Sequence, residues 1–159
     1  MKEFDLKMPS KPVRIGVAAA QFNRFITEQL LEGAMDAFKR NGFSEDQWVL
    51  AWVPGAFELP LAARRLLDSG CDAVVALGAV IRGGTPHFDY VAGECASGLS
   101  RLALERGQPV IFGVLTTDDI EQAMERAAVT QGNKGFDVAI ATLQMLGLLE
   151  RLEPNMGEG

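Results

Sequence analysis

The segment Gly78–Tyr90 reads Gly-Ala-Val-Ile-Arg-Gly-Gly-Thr-Pro-His-Phe-Asp-Tyr and holds the only histidine of the chain. An apolar run empties there into Gly83-Gly84-Thr85, and His87 follows two residues later. Backbone N–H groups of such a turn can hold an anion, aided by the dipole of a helix starting near Phe88. A single imidazole beside it can move protons near neutral pH. The plainer alternative is a turn in which the glycines give backbone freedom and Thr85 caps the helix. For His87 it is an imidazole that caps the same helix or pairs with Asp89.

Other chemistry-bearing residues stand near similar breaks. Glu58 follows Pro54-Gly55-Ala56-Phe57 in the first turn of an expected helix. The dipole favours a carboxylate there by roughly 0.3–1 kcal/mol, which alone could explain it. The functional alternative is that Glu58 accepts hydrogen bonds from substrate hydroxyls. Phe22 and Phe112 suit a core, although Phe22 follows a strand end and could cover an aromatic ligand. Arg126 lies off the apolar stripe of its helix, where solvated surface is the simpler reading, and Lys134 reads as a loop cation.

Standard signatures are missing. No Gly-x-Gly-x-x-Gly follows the first strand, where Gly16 stands alone, and Gly132-Asn133-Lys134-Gly135 lacks the spacing and hydroxyl of a phosphate loop. No serine sits in an elbow motif to partner His87. One histidine and two separated cysteines, Cys71 and Cys95, give no metal or redox spacing, and packing is their expected role.

The elements that must position these residues follow from periodicity. Bounded apolar runs predict strands over Val13–Ala19, Trp48–Val53, Asp72–Ile81 and Val110–Leu115. Helical spacing predicts Phe25–Arg40, stopped by Asn41-Gly42, then Phe57–Leu67 with Pro60 in its first turn, and Phe88–Glu105. Near the end come a stripe of Ile120, Ala123, Met124 and Ala127, with Asp118 and Glu121 as a capping box, and a last helix over Phe136–Leu149. Strands too apolar to meet water on either side imply a four-stranded parallel sheet in a three-layer α/β/α sandwich. Sites in such sheets lie at the carboxyl ends of strands. That rule gathers Ala20–Asn23, Pro54–Glu58, Gly83–His87 and Thr116-Thr117 on one edge. The domain is expected over 13–152, with an N-terminal arm over 1–12 and a disordered tail over 153–159.

Length and composition agree. The chain has 159 residues, 48% hydrophobic and 23% charged, which suits one globular domain. A formal charge of −6 without a Lys/Arg run argues against nucleic acid as partner. No apolar run is long enough to span a membrane, and Met1–Pro12 has no apolar signal region, so a cytoplasmic protein is expected.

Taken together and in order, Phe22-Asn23, Pro54–Glu58, Gly78–Tyr90, Phe112–Thr117, Ile120–Ala123 and Gly132–Gly135 resemble the 6,7-dimethyl-8-ribityllumazine synthase family over nearly the whole chain. The resemblance implies a flavodoxin-like fold and a cofactor-independent transferase of riboflavin biosynthesis. Such an enzyme condenses 5-amino-6-(D-ribitylamino)uracil with 3,4-dihydroxy-2-butanone 4-phosphate. By position, it implies that Phe22 stacks on the pyrimidine, that Ala56, Phe57 and Glu58 line the ribityl chain, and that backbone at Ala79, Val80 and Ile81 holds the uracil edge. Gly84, Thr85 and Arg126 would bind phosphate, and His87 would donate and shuttle protons. The pocket would lie between subunits, with Phe112 and Arg126 supplied by the adjacent chain. The implied assembly is a homopentamer, and the short connection between the last two helices points to a shell of twelve pentamers, with riboflavin synthase a candidate partner. Ala127–Gln131 departs from the pattern, lacking a glycine and a lysine that many relatives carry there. Two rival classes are a flavin-binding module without catalysis, which would purify yellow, and a shell protein with a vestigial pocket.

Overall fold

A computed structural model describes residues 1–128 and 132–153. Four strands form one parallel sheet: β1 (Ile15–Ala20), β2 (Trp48–Val53), β3 (Ala73–Ile81) and β4 (Val110–Thr117), in the order β2-β1-β3-β4. The five helices among the described residues are α1 (Arg24–Arg40), α2 (Leu59–Asp68), α3 (His87–Arg106), α4 (Ile120–Arg126) and α5 (Lys134–Arg151). This is the expected flavodoxin-like α/β architecture. The chain leaves β1 towards β2 on one side and later returns to β3 on the other. The crevice between β1 and β3 is therefore the switch point where such sheets bind ligands.

Two cores, one on each face, fix the layers. Alternation along β3 sends Val75, Leu77 and Ala79 into a core shared with Ile26, Leu30, Phe38, Val138 and Leu143 of α1 and α5. Val74 and Ala76 point the other way, to Leu59, Leu66, Cys95 and Leu99 of α2 and α3. Each set is withdrawn from water, and this apolar burial is the main force closing the sandwich. Small residues let the layers close further. A Cβ at Gly135 would run into the Leu30 carbonyl of α1, and one at Gly33 would strike the side chain of Asn133. Asn133 is itself buried as N-cap of α5, accepting from Phe136 N–H at 3.0 Å and donating to Gln29 O at 2.8 Å.

Several sequence expectations need adjustment. β2 is an edge strand and is only half buried, with Leu50 exposed, so one strand does meet water. The second helix begins at Leu59, because Ala56–Glu58 forms a separate 3-10 turn and Pro60 lies in the first turn of α2. Asp119, not Asp118, caps α4, accepting from Gln122 N–H at 2.8 Å, while Gln122 Oε1 accepts from Asp118 N–H. Of the expected apolar stripe only Ala123 and Ala127 are buried, whereas Ile120 and Met124 are exposed. A seven-residue helix such as α4, about two turns long, buries only one narrow line of side chains. The tail from residue 154, and residues 129–131 within the Ala127–Gln131 departure, lie outside the described residues. Among the described residues no helix is long and apolar enough to cross a membrane.

Residues 1–12 carry no helix or strand and run beside α5. Glu150 accepts from the N–H groups of Ser10 and Lys11, each at 3.0 Å, and Arg151 donates to the Asp5 carbonyl. A Cβ at Gly147 would meet the Lys7 carbonyl, so glycine there lets the arm lie close.

Candidate active site

At the carboxyl edge of the sheet, β1 ends in Gln21-Phe22-Asn23. Gln21 N–H donates to Val53 O at 2.7 Å and Phe22 N–H to Pro54 O at 3.0 Å, which extends the β1–β2 pairing by two rungs. Asn23 then takes a left-handed conformation, φ 60°, alone among the described non-glycine residues. Its side chain donates to Ala79 O at 3.0 Å and so ties the end of β1 to β3 across the switch point. The reversal leaves the Phe22 ring 72% exposed, which excludes a core role for it in this chain.

Phe22 is one wall of a cavity of about 730 Å³ that is also lined by Ala56, Phe57, Glu58, Ala79, Val80, Ile81, Gly83, Thr85 and His87. Several aromatic rings, one carboxylate, one imidazole and an amide-rich turn thus surround a space of small-ligand size. Phe57 and Glu58 are held in place by the 3-10 turn, whose Glu58 N–H donates to Gly55 O at 3.2 Å. Glu58 and His87 are both exposed to the cavity side. The sequence places Asn23 on this edge, at the end of Ala20–Asn23, but gives it no role of its own. Its signal is an asparagine directly after a strand end, a residue that tolerates left-handed backbone.

His87 is the first residue of α3, and Pro86 occupies the cap position without a side-chain cap bond. Asp89 pairs with Arg82 at 3.7 Å, and among the described residues the His87 side chain makes no hydrogen bond or ion pair. Neither of its bland alternatives, capping or pairing with Asp89, is what the structure contains. Thr85 does not cap the helix either. Gly83 and Gly84 have no left-handed φ, and a Cβ on either would meet nothing within 4 Å. Nothing inside this chain therefore requires glycine at either position. Gly84 itself is absent from the cavity wall, which Gly83 and Thr85 supply.

Phe112 and Arg126 do not join this cavity. They line a second one of about 610 Å³, with Arg82, Thr116, Asp118 and Gln122. Phe112 is half buried in mid-strand, paired with Ala76, and Arg126 stands exposed in the last turn of α4. Phe88 lines both cavities and separates the His87 side from the Arg126 side. Lys134, at the start of α5, is exposed and lines neither. One edge was expected to unite all four strand ends; the structure splits it after β3.

The cysteines take no part. Both are buried and free, and burial pushes the Cys71 thiol up and that of Cys95 up to about 11. A thiol so raised stays protonated and unreactive near neutrality.

The same edge carries the recognisable motifs. The family model described as 6,7-dimethyl-8-ribityllumazine synthase matches residues 12–150, from just before β1 to the end of α5. With that span matched and the sheet order in agreement, the chain belongs to the 6,7-dimethyl-8-ribityllumazine synthase family of enzymes.

Proposed function

We propose that this chain condenses 5-amino-6-(D-ribitylamino)uracil with 3,4-dihydroxy-2-butanone 4-phosphate, the penultimate step of riboflavin biosynthesis. The observation that carries the reading is the grouping of Phe22, Glu58, His87 and the Gly83–Thr85 turn around one cavity at the switch point. Phe22 stacks on the pyrimidine and Glu58 accepts from ribityl hydroxyls. The Ala79–Ile81 backbone meets the uracil edge, with one lone pair of the Ala79 carbonyl already used by Asn23. The turn, with Gly84 and Thr85, receives phosphate, and Arg126 of an adjacent chain completes the charge balance.

The chemistry fits these parts. The 5-amino group attacks the ketone and loses water to form an imine. Removal of the neighbouring proton then expels inorganic phosphate and leaves an enol. The enol tautomerises to a methyl ketone, the ribitylamino nitrogen attacks it, and a second water departs. No electrons leave the pair of substrates, so no redox cofactor is required. Holding two substrates in one near-attack geometry does much of the work. His87 donates and accepts protons at the carbonyl and imine, a role worth about 10²–10⁴-fold, with the low end expected because substrate phosphate and amine also carry protons.

The half-site character of each cavity supports a homopentamer in which neighbours share sites, and the short α4–α5 connection favours a shell of twelve pentamers. Riboflavin synthase would be a partner inside such a shell, and the cytoplasm is its compartment. The test supplies both substrates and follows lumazine fluorescence with phosphate release, wild type beside Arg126→Ala. Product from wild type and a rise in KM for the phosphate substrate in the variant support the reading. Phosphate-free incubation products or no turnover would remove it.

A further inference from the structure

Arg82 directly follows β3, and its N–H donates to Thr117 O at 2.8 Å as a last rung towards β4. Its side chain then meets three partners. Nε donates to Asp118 Oδ1 at 3.0 Å, a second guanidinium nitrogen lies 3.7 Å from Asp89 Oδ1, and Cζ stands 4.5 Å from the centre of the Phe88 ring. One planar group thus joins the β4–α4 corner to the first turn of α3. Between Arg82 and Phe88 lie only the glycine turn, Pro86 and His87. Among the described residues, no hydrogen bond ties residues 83–87 to another element.

We infer that Arg82 is a positioning residue for the site. It pins Phe88, and through Phe88 it sets where the turn presents its amides and where His87 begins α3. This rests on the reading proposed above, in which the turn receives phosphate. Each contact alone is weak, since Arg82 and both carboxylates are half exposed or more. Their convergence on one guanidinium is what gives the turn a single location. Lysine cannot replace it, because a point charge has neither the face that stacks on Phe88 nor the fork that reaches two carboxylates.

The experiment is a double-mutant cycle of Arg82→Ala and Asp118→Ala in the assembled protein, with Arg82→Lys alongside. Steady-state kinetics are read for each substrate. Amide hydrogen exchange, read by mass spectrometry over residues 83–90, supplies a measure independent of activity. Arg82→Ala should raise KM for the phosphate substrate about five- to tenfold, the scale one exposed ion pair and one cation–π contact support. The other KM should stay within about twofold. Asp118→Ala should act alike, the double variant should be no worse than either single one, and Arg82→Lys should recover only part of the loss. Exchange over 83–90 should quicken while exchange over α2 stays unchanged. Multiplying single effects, an unchanged phosphate KM, or unaltered exchange would overturn the role. If wild type makes no product from the two substrates, the proposed function fails and exchange alone decides on Arg82.

Discussion

His87 and Arg126 line different cavities of the same chain, and the Phe88 ring forms part of both walls. On the proposed function, the site that uses both residues is completed by two chains. The relationship explains why Arg126, exposed and without an ion pair among the described residues, reads as ordinary surface when one chain is considered alone.

Gly84→Ala separates folding from binding. With no left-handed φ and open space at its Cβ, the substitution should leave stability unchanged or raise it by up to about 1 kcal/mol. On the proposed function the turn receives phosphate at Gly84, so the added methyl should raise KM for the phosphate substrate about tenfold or more. Thermal unfolding and initial rates check the two halves.

Gly135→Ala should behave in the opposite way. Its Cβ would enter the Leu30 carbonyl and force α5 from α1, costing about 1–3 kcal/mol or more. Denaturant midpoints should drop at unchanged slope, and protein that remains folded should keep its KM values.

The thiol of Cys95, pushed up to about 11 by burial, makes an alkaline prediction. Between the ordinary thiol value, about 8.5, and that raised value, the unfolded chain loses a proton that the native chain keeps. Stability is then fully present below the lower value and is lost as pH rises through the window, by as much as about 2–3 kcal/mol. Cys95→Ala should flatten this alkaline decline, measured by urea unfolding from pH 8 to 11. Native Cys95 should also resist iodoacetamide at pH 8, where only about one thiol in a thousand is ionised.

Glu150 makes the acid counterpart. The N–H groups of Ser10 and Lys11 hold its carboxyl below the usual range. A depressed carboxyl stabilises the arm above its unfolded value, about 4.3, and the effect is lost as pH falls through the lowered folded value. Protease cleavage within residues 1–12 should therefore quicken at low pH in wild type. In Glu150→Gln it should already be quick at pH 7.

Much of this was legible in the residues. The apolar runs placed β2 without error, bounded by Pro54-Gly55, and β3 within one residue, because a strand buried on both faces, as β3 is, has no polar alternation to blur its ends. The strand ends then gave Phe22, Glu58 and His87 a common cavity before any distance was known. What escaped were effects of packing. The cap of α4 moved by one residue because Asp118 and Asp119 are equally suited to it, and geometry chose Asp119. Asn133 could not be read as a buried cap until α1 brought Gly33 and Gln29 against it. The bond from Asn23 to Ala79 joins residues far apart in the chain and has no local spacing to announce it. Nothing inside the chain accounts for the exposure of Ile120 and Met124 or for the glycines at 83 and 84.

Subunit mixing tests the central claim most directly. His87→Ala and Arg126→Ala chains, each made alone, should show strongly reduced lumazine formation. Co-expressed in equal amounts and randomly assembled in a ring with head-to-tail interfaces, roughly a quarter of the sites would join an intact His87 to an intact Arg126. The mixture should then recover about a quarter of wild-type activity. A mixture no more active than the average of the two variants would contradict a site shared between chains.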